Sequence, residues 1–313
     1  MARQLRIQYP GAFYHVTSRG NQKQPVFFSP WDKARFLDCL DEAHEKLDAL
    51  VHSYCLMENH YHLMLETRQA NLSKIMHIIN TSFTVYLNKR NKRVGHLFQG
   101  RFKAILLEAE TYAQELSRYI HLNPLRAGIV KRPEDHPWSS LREYLGKREP
   151  PRWLDTSFVL GLFGDDTDDA RLQYAGFISS ALISNIPNPF KNKNGGSHSI
   201  LGSKGFLERI KETYIQKKAP NREFPLLRQY RKKPPLERIQ AEIVEALGSA
   251  DKLSRNAAIY LAHRKTDYKL SEIGIFFGLS QSGIAKICHR MEESFLLDPD
   301  LSRAIEEVKR NLF

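Results

Sequence analysis

The chain has 313 residues and carries 47 Lys and Arg against 35 Asp and Glu, a formal charge of +12 with a pI near 9.5. That is long enough for about two domains with cores of their own, and the charge favours a polyanionic partner, nucleic acid first. Cys39, Cys55 and Cys288 stand far apart with no Cys-x-x-Cys pair, which speaks against a disulfide framework or a zinc ribbon; the Met1 to Arg6 stretch has no apolar signal core, and no run of about 18 apolar residues occurs, so a cytosolic protein that is neither secreted nor membrane-spanning is expected.

The first predicted element is a strand, Ala12 to Ser18, closed by the turn signal Arg19-Gly20-Asn21. Ser29-Pro30 opens an amphipathic helix with apolar Phe36, Leu37, Leu40, Ala43 and Leu47 at helical spacing. Leu50 to Met57 and His60 to Glu66 then read as a strand pair turning at Glu58-Asn59. A second helix follows from Leu72 to about Lys89, with Asn71 as its expected cap. Gly95 to Glu108 reads as a hairpin or a strand bent at Gly100, with Arg101 and Lys103 on one face and Phe102 on the other. A third helix, Thr111 to Leu122, stops before Pro124.

The order strand, helix, strand, strand, helix, strand is that of an α+β, ferredoxin-like antiparallel sheet with helices on one face, which leaves the other face for a site. Three regions are expected: 1–150, the sheet domain; 151–235, a helical extension and basic linker; and 236–313, an all-α domain. Within the middle region, 185–199 reads as a linker, and the cations from Lys217 to Arg238 are spaced by prolines that keep the chain extended. In the last, Leu270 to Phe277, the turn Gly278-Leu279-Ser280, and Gln281 to Met291 have the shape of a helix-turn-helix. Ile273, Phe276, Phe277, Leu279, Ile284 and Ile287 are its expected core, leaving Gln281, Ser282, Lys286, His289 and Arg290 to face a DNA groove; an ordinary helical bundle is the competing reading.

The chemistry concentrates on one strand. Alternation places His60, His62, Met64 and Glu66 on one side and Tyr61, Leu63 and Leu65 on the other, so two imidazoles project side by side. Such a pair can share a metal ion, although two histidines on a wet strand face would look the same. Tyr119 and Asn123 sit one helical turn apart on the third helix. If that helix packs so that they face the histidines, an ion would have two imidazoles and one amide oxygen, with open positions for substrate oxygens. Tyr119 would then be placed to attack a phosphodiester, conserving the bond energy for a later rejoining step. Arg19, Arg101, Lys103 and Arg126 are the cations expected to meet phosphates.

Four stretches resemble the single-tyrosine HUH transposases, and within them the REP-associated tyrosine transposases: His60-Tyr61-His62, Phe98-Gln99-Gly100-Arg101-Phe102, Tyr119 through Gly128, and His136-Pro137-Trp138-Ser139-Ser140. The resemblance covers about residues 5–150, with a fainter match at Leu201-Gly202-Ser203. It implies an HUH nuclease fold, cleavage of single-stranded DNA beside a hairpin, a 5′-phosphotyrosine intermediate, a requirement for Mg²⁺ or Mn²⁺, and a bacterial protein acting in the cytoplasm at the nucleoid. By position it makes Tyr119 the nucleophile and His60, His62 and Asn123 the ligands; other branches carry Gln where this chain has Asn123.

Residues 250–293 resemble the duplex-binding domain of the replication initiator DnaA, implying duplex DNA as a second partner. A rolling-circle initiator or relaxase, and a catalytically idle DNA-binding regulator, are the alternatives. The sequence leaves open whether the site forms within one subunit or across a homodimer.

Overall fold

The computed structural model describes residues 6–183, 200–215, 234–266 and 268–312. They fall into two compact units, one from Arg6 to Glu208 and one from Arg209 onward. The expected linker at 185–199 and the basic run at 217–233 lie outside the described residues.

The first unit is built on β1 (Ala12–Arg19), α1 (Pro30–Leu47), β2 (Ala49–Leu56), β3 (His60–Thr67), α2 (Leu72–Arg90), β4 (Lys103–Leu107) and α3 (Ala109–His121). The sheet order is β2-β3-β1-β4, with β5 (Ile200–Leu201) added beside β4. The four long strands are antiparallel neighbours and β5 pairs parallel to β4. This is the expected α+β arrangement, with one strand contributed from beyond residue 150.

Local chemistry accounts for the elements. Ser29 caps α1, its hydroxyl accepting from the Asp32 amide at 3.3 Å, and Pro30 stands where a helix needs no amide donor. Phe36, Leu40 and Ala43 of α1 and Ile75, Ile79, Phe83 and Leu87 of α2 are buried. They close on the sheet face that carries Tyr14, Val16, Tyr61, Leu63 and Leu65, and Phe36 lies 4.6 Å from Tyr61, ring centre to ring centre. Asn71 does not cap α2 with its side chain as expected; its amide nitrogen instead donates to the Leu47 carbonyl, tying the two helices together.

The opposite face is only partly open. Met64, Ile105 and Leu107 pack under Ala113, Leu116 and Ile120 of α3 and under four further helices, of which α6 (Ser157–Gly161) and α7 (Thr167–Ile183) supply Val159, Leu160, Ala170, Tyr174 and Ile178. The two shorter helices are α4 (Asn123–Arg126) and α5 (Leu141–Tyr144). Much of the extension after residue 150 therefore belongs to the first unit's core.

The His136-Pro137-Trp138-Ser139-Ser140 stretch covers the free edge of β2. His136 Nε2 bonds the Leu56 carbonyl at 3.1 Å, the Leu56 amide donates to Trp138, and the Ser140 amide donates to Tyr54. Pairing an edge in this way removes a template for aggregation. His121 completes the seam, bonding the Tyr174 hydroxyl and the Ser140 hydroxyl, each at 2.7 Å. The stretch from Gly95 to Phe102 is neither hairpin nor strand. It runs irregularly, touching the sheet through a single bridge from Phe98 to Gly20, and regular pairing begins only at Lys103.

The second unit contains α8 (Lys204–Ile210) in part, followed by α9 (Leu236–Leu247), α10 (Lys252–Lys265), α11 (Leu270–Phe277), α12 (Gln281–Leu297) and α13 (Pro299–Leu312). Gly278 ends α11 in the left-handed conformation, and the Ser280 hydroxyl caps α12 by accepting from the Gly283 amide at 3.2 Å. A Cβ on Gly274 would stand 2.6 Å from the Leu279 carbonyl, so the close turn between these helices needs glycine there. Ile273, Phe277 and Ile284 are buried as expected, whereas Phe276 points outward beside the more exposed Ile275 and Cys288 takes the interior place.

Burial pushes His121 and His15 down from the ordinary 6.5 to about 3. Their unfolded forms take up protons that the folded forms refuse, so their contribution is intact above pH 6.5 and is lost as pH falls toward 3, at up to about 1.4 kcal/mol per pH unit for each. Urea unfolding followed by circular dichroism is expected to show a lower midpoint at pH 5 than at pH 7.5, with His121→Gln reducing the difference. Identical wild-type midpoints would contradict this.

Candidate active site

Register brings the site together. β3 runs against β1 with His60 opposite Arg19 and His62 opposite Thr17, and Thr17 in turn lies opposite Lys103 of β4. One row across the sheet is therefore His62, Thr17, Lys103, all on the face away from α1 and α2. These residues line a cleft of about 370 Å³ together with Ser18, Arg19, His60, Gln99, Arg101, Tyr119 and Asn123. None of its lining residues is acidic.

The two strand histidines are held differently from behind. His60 Nδ1 bonds the side-chain oxygen of its neighbour Asn59 at 2.6 Å. His62 Nδ1 bonds Nε2 of His15 at 2.9 Å, and the two rings stack with centres 5.2 Å apart. His15 is buried on β1. With each Nδ1 engaged, Nε2 is the nitrogen of both rings that can serve a ligand, provided His62 donates to His15.

Burial first, and the Arg19 cation second, bring His60 down to about 4. Burial, then His15, His60 and Arg19, hold His62 well below 6.5. Both imidazoles are neutral near pH 7, the state in which a ring nitrogen has a lone pair to offer.

Tyr119 arrives from the other side. Leu116 and Ile120 of α3 are fully buried and fix the helix on the sheet, which leaves Tyr119 half-buried on the adjoining stripe. Its ring centre is 5.6 Å from that of His62 and 5.8 Å from that of His15, edge-on in both cases, and the Arg126 guanidinium stands 5.4 Å from it. Asn123 follows one turn later, its amide nitrogen donating to the Tyr119 carbonyl at 3.0 Å, so its side-chain oxygen is the atom left to act as a ligand.

The sequence-predicted residues His60, His62, Tyr119, Asn123, Arg19, Arg101 and Lys103 thus meet in one cleft, and Arg126 flanks it. Gln281, Ser282, Lys286, His289 and Arg290 belong to the second unit, where all five are exposed on α12. Besides His15, sequence reasoning missed Thr17, Ser18 and Gln99; the alternation of β1 puts Thr17 beside Arg19, but only the cross-strand register ties it to His62.

Among the described residues no three His, Cys, Asp or Glu side chains converge as a metal centre. The donors at hand are two neutral imidazoles and one amide oxygen. That set fits an open divalent site with remaining positions for water or substrate, and suits Mn²⁺ at least as well as Mg²⁺, which prefers oxygen.

Residues 8–123 match the family described as transposase IS200 like. The match runs from β1 through the cleft tyrosine to Asn123. A solved structure titled "Structure of the REP associates tyrosine transposase bound to a REP hairpin" is similar at 16% identity and a TM-score of 0.42, over 50% of this chain and 93% of that one. No curated protein matches the chain. Among the described residues no helix is long and apolar enough to cross a membrane.

His15→Phe removes the acceptor behind His62 while keeping an aromatic ring in its place. Histidine-ring ¹⁵N spectra are expected to show His62 as one neutral tautomer from pH 5 to 8 in the wild type and as a mixture in the variant. The same spectrum in both would show that His15 does not orient His62.

Proposed function

We propose that the chain is a single-tyrosine transesterase that cuts and rejoins single-stranded DNA beside hairpins. The observation that carries this reading is the placement of Tyr119 against His62, with Asn123 one turn away, in a cleft lined by Arg19, Arg101 and Lys103. The IS200-like match of residues 8–123 supports it.

In this reading the Tyr119 hydroxyl oxygen attacks the phosphorus of a phosphodiester. A bond from Oη to phosphorus forms as the bond from phosphorus to the 3′ oxygen breaks; the phenol gives up one proton and the departing 3′ oxygen gains one. The product is a 5′-phosphotyrosine and a free 3′ hydroxyl, and a second 3′ hydroxyl reverses the step on a new partner strand. Arg19, Arg101 and Lys103 hold the phosphate chain, where fixed cations also offset the charge that grows on the phosphoryl oxygens. His60, His62 and the Asn123 amide oxygen would hold a divalent Mg²⁺ or Mn²⁺ ion. When bound, it supplies further charge neutralisation at a non-bridging oxygen. His15 and Asn59 fix the tautomer and direction of the two imidazoles.

The second unit is assigned the duplex. α11 and α12, joined through Gly278 and capped by Ser280, would act as a helix-turn-helix, with α12 offering Ser282, Lys286 and Arg290 along one exposed stripe and Gln281 and His289 along the next. It would anchor the nuclease on double-stranded DNA next to the cut.

Incubation of wild type and Tyr119→Phe with single-stranded hairpin DNA from the flanks of the gene, with Mn²⁺ or with EDTA, tests the central step on a denaturing gel. A metal-dependent protein–DNA adduct absent from Tyr119→Phe is expected; no adduct under any condition would shift the reading to an idle DNA-binding regulator. Replacing Lys286 and Arg290 together by Ala is expected to weaken duplex binding about tenfold or more while leaving the adduct yield on a short hairpin unchanged. Equal loss of both would separate α12 from duplex recognition.

A further inference from the structure

The cleft is not the whole of the charged surface. Between Glu66 and Glu108 the chain contains no Asp or Glu and eight Lys or Arg: Arg68, Lys74, Lys89, Arg90, Lys92, Arg93, Arg101 and Lys103. The last two line the cleft. The four from Lys89 to Arg93 are exposed at the end of α2, where the start of α1 meets them.

That meeting is rigidly made. Asp32, fully buried, accepts from the Phe28 amide at 2.9 Å and the Ser29 hydroxyl at 3.0 Å and is ion-paired with Arg90, which also donates to Ser29 at 2.9 Å. The clamp leaves two aromatic side chains outside. Trp31 is 74% exposed and Phe28 51%, and the Arg93 guanidinium stands 5.6 Å from the centre of the Phe28 ring. A tryptophan so exposed on a helix start, three residues from an exposed phenylalanine and beside the exposed cations Lys89, Lys92 and Arg93, has no role in the core.

The position connects it to the site. The chain between β1 and α1 wraps the turn that precedes His60: the Gly20 amide donates to Asn59, the amides of Val26 and Phe27 donate to Glu58, and the Asn59 side chain donates to Lys23. The aromatic pair therefore starts one residue beyond the loop that holds the His60 end of β3.

We propose that Phe28, Trp31 and Arg93, with Lys89 and Lys92, form a stacking platform for unpaired bases of the DNA strand whose phosphate lies in the cleft. Flat aromatic faces accept any base, and adjacent cations track the backbone, which is the combination that holds single strands without reading sequence. This rests on the transposase reading above and adds to it a second, sequence-tolerant contact outside the reacting centre.

The test uses the full-length Tyr119→Phe protein, so that nothing is cleaved, and two probes: a DNA hairpin with a ten-thymidine unpaired tail and the same hairpin without it. In the parent, the tail is expected to tighten binding and to quench tryptophan emission. Trp31→Ala and Phe28→Ala are each expected to weaken binding of the tailed probe by about tenfold, with the blunt probe and the salt dependence unchanged. Arg93→Ala is expected to make the slope of log K against log salt shallower by about 0.7, one phosphate contact on a single strand. Quenching should disappear in Trp31→Phe.

If the parent binds both probes and Trp31→Ala binds the tailed one equally well, the platform is wrong and the transposase reading stands. Failure of the parent to bind either probe would overturn both. A change of sedimentation in Trp31→Ala with unaltered DNA binding would make the patch a contact between copies of the chain, which also overturns the proposal.

Discussion

The pairing of β3 with β1 is the constraint on which the cleft depends. With Arg19 opposite His60 and Thr17 opposite His62, each histidine gains a specific neighbour across the strand, and His15, two residues before Thr17, comes to lie against the back of His62. A slip of one residue would turn both imidazoles into the hydrophobic layer beneath α1 and α2 and turn Tyr61 and Leu63 out. The large apolar residues on that layer make such a slip costly, so the same packing that stabilises the sheet fixes the direction of the histidines. The core and the site are two faces of one register.

Burial then sets the chemistry. His62 and His15 are almost wholly removed from water, which disfavours their charged forms and keeps the imidazole pair neutral at physiological pH. The Arg19 cation acts in the same direction on His60 and His62, and with Arg101 and Lys103 it makes the cleft attractive to a phosphate chain. α3 meets this arrangement from above, and because Leu116 and Ile120 lock it to the sheet, Tyr119 is presented by a rigid element and not by a loop. Rigid presentation matters for the proposed transesterase step, in which the tyrosine would have to stand in line with the bond it breaks and do so again when the step reverses.

Much of this was legible in the chain. Alternation alone put His60 and His62 on one face, helical spacing put Asn123 one turn from Tyr119, and Ser29-Pro30 marked a helix start. What could not be read was whatever depends on two distant segments meeting. His15 looked like any residue of a half-buried strand until β1 was set beside β3. Gly95 to Phe102 has the glycines of a hairpin, yet its Phe98 is drawn to Gly20, so the strand begins later than its sequence suggests. Asn71 has the chemistry of a cap but finds the Leu47 carbonyl first, and Phe276 has the chemistry of a core residue but lies on the outer side of a short helix whose inner side is filled by Ile273 and Phe277. The His136 to Ser140 motif, read as a family mark, turns out to seal the edge of β2, with His121 as its hydrogen-bonded keystone.

In the proposed function Tyr119 takes the DNA strand, and the most direct measurement is to find the bond. Trypsin cuts after Arg118 and after Arg126, so the tyrosine is released in a short peptide, Tyr119-Ile120-His121-Leu122-Asn123-Pro124-Leu125-Arg126. After reaction with hairpin DNA and nuclease trimming, tandem mass spectrometry of that peptide should show a mononucleotide joined through its 5′ phosphate to the Tyr119 oxygen. Recovery of the peptide only in its unmodified form, or a nucleotide on another side chain while the protein cuts DNA, would contradict the account.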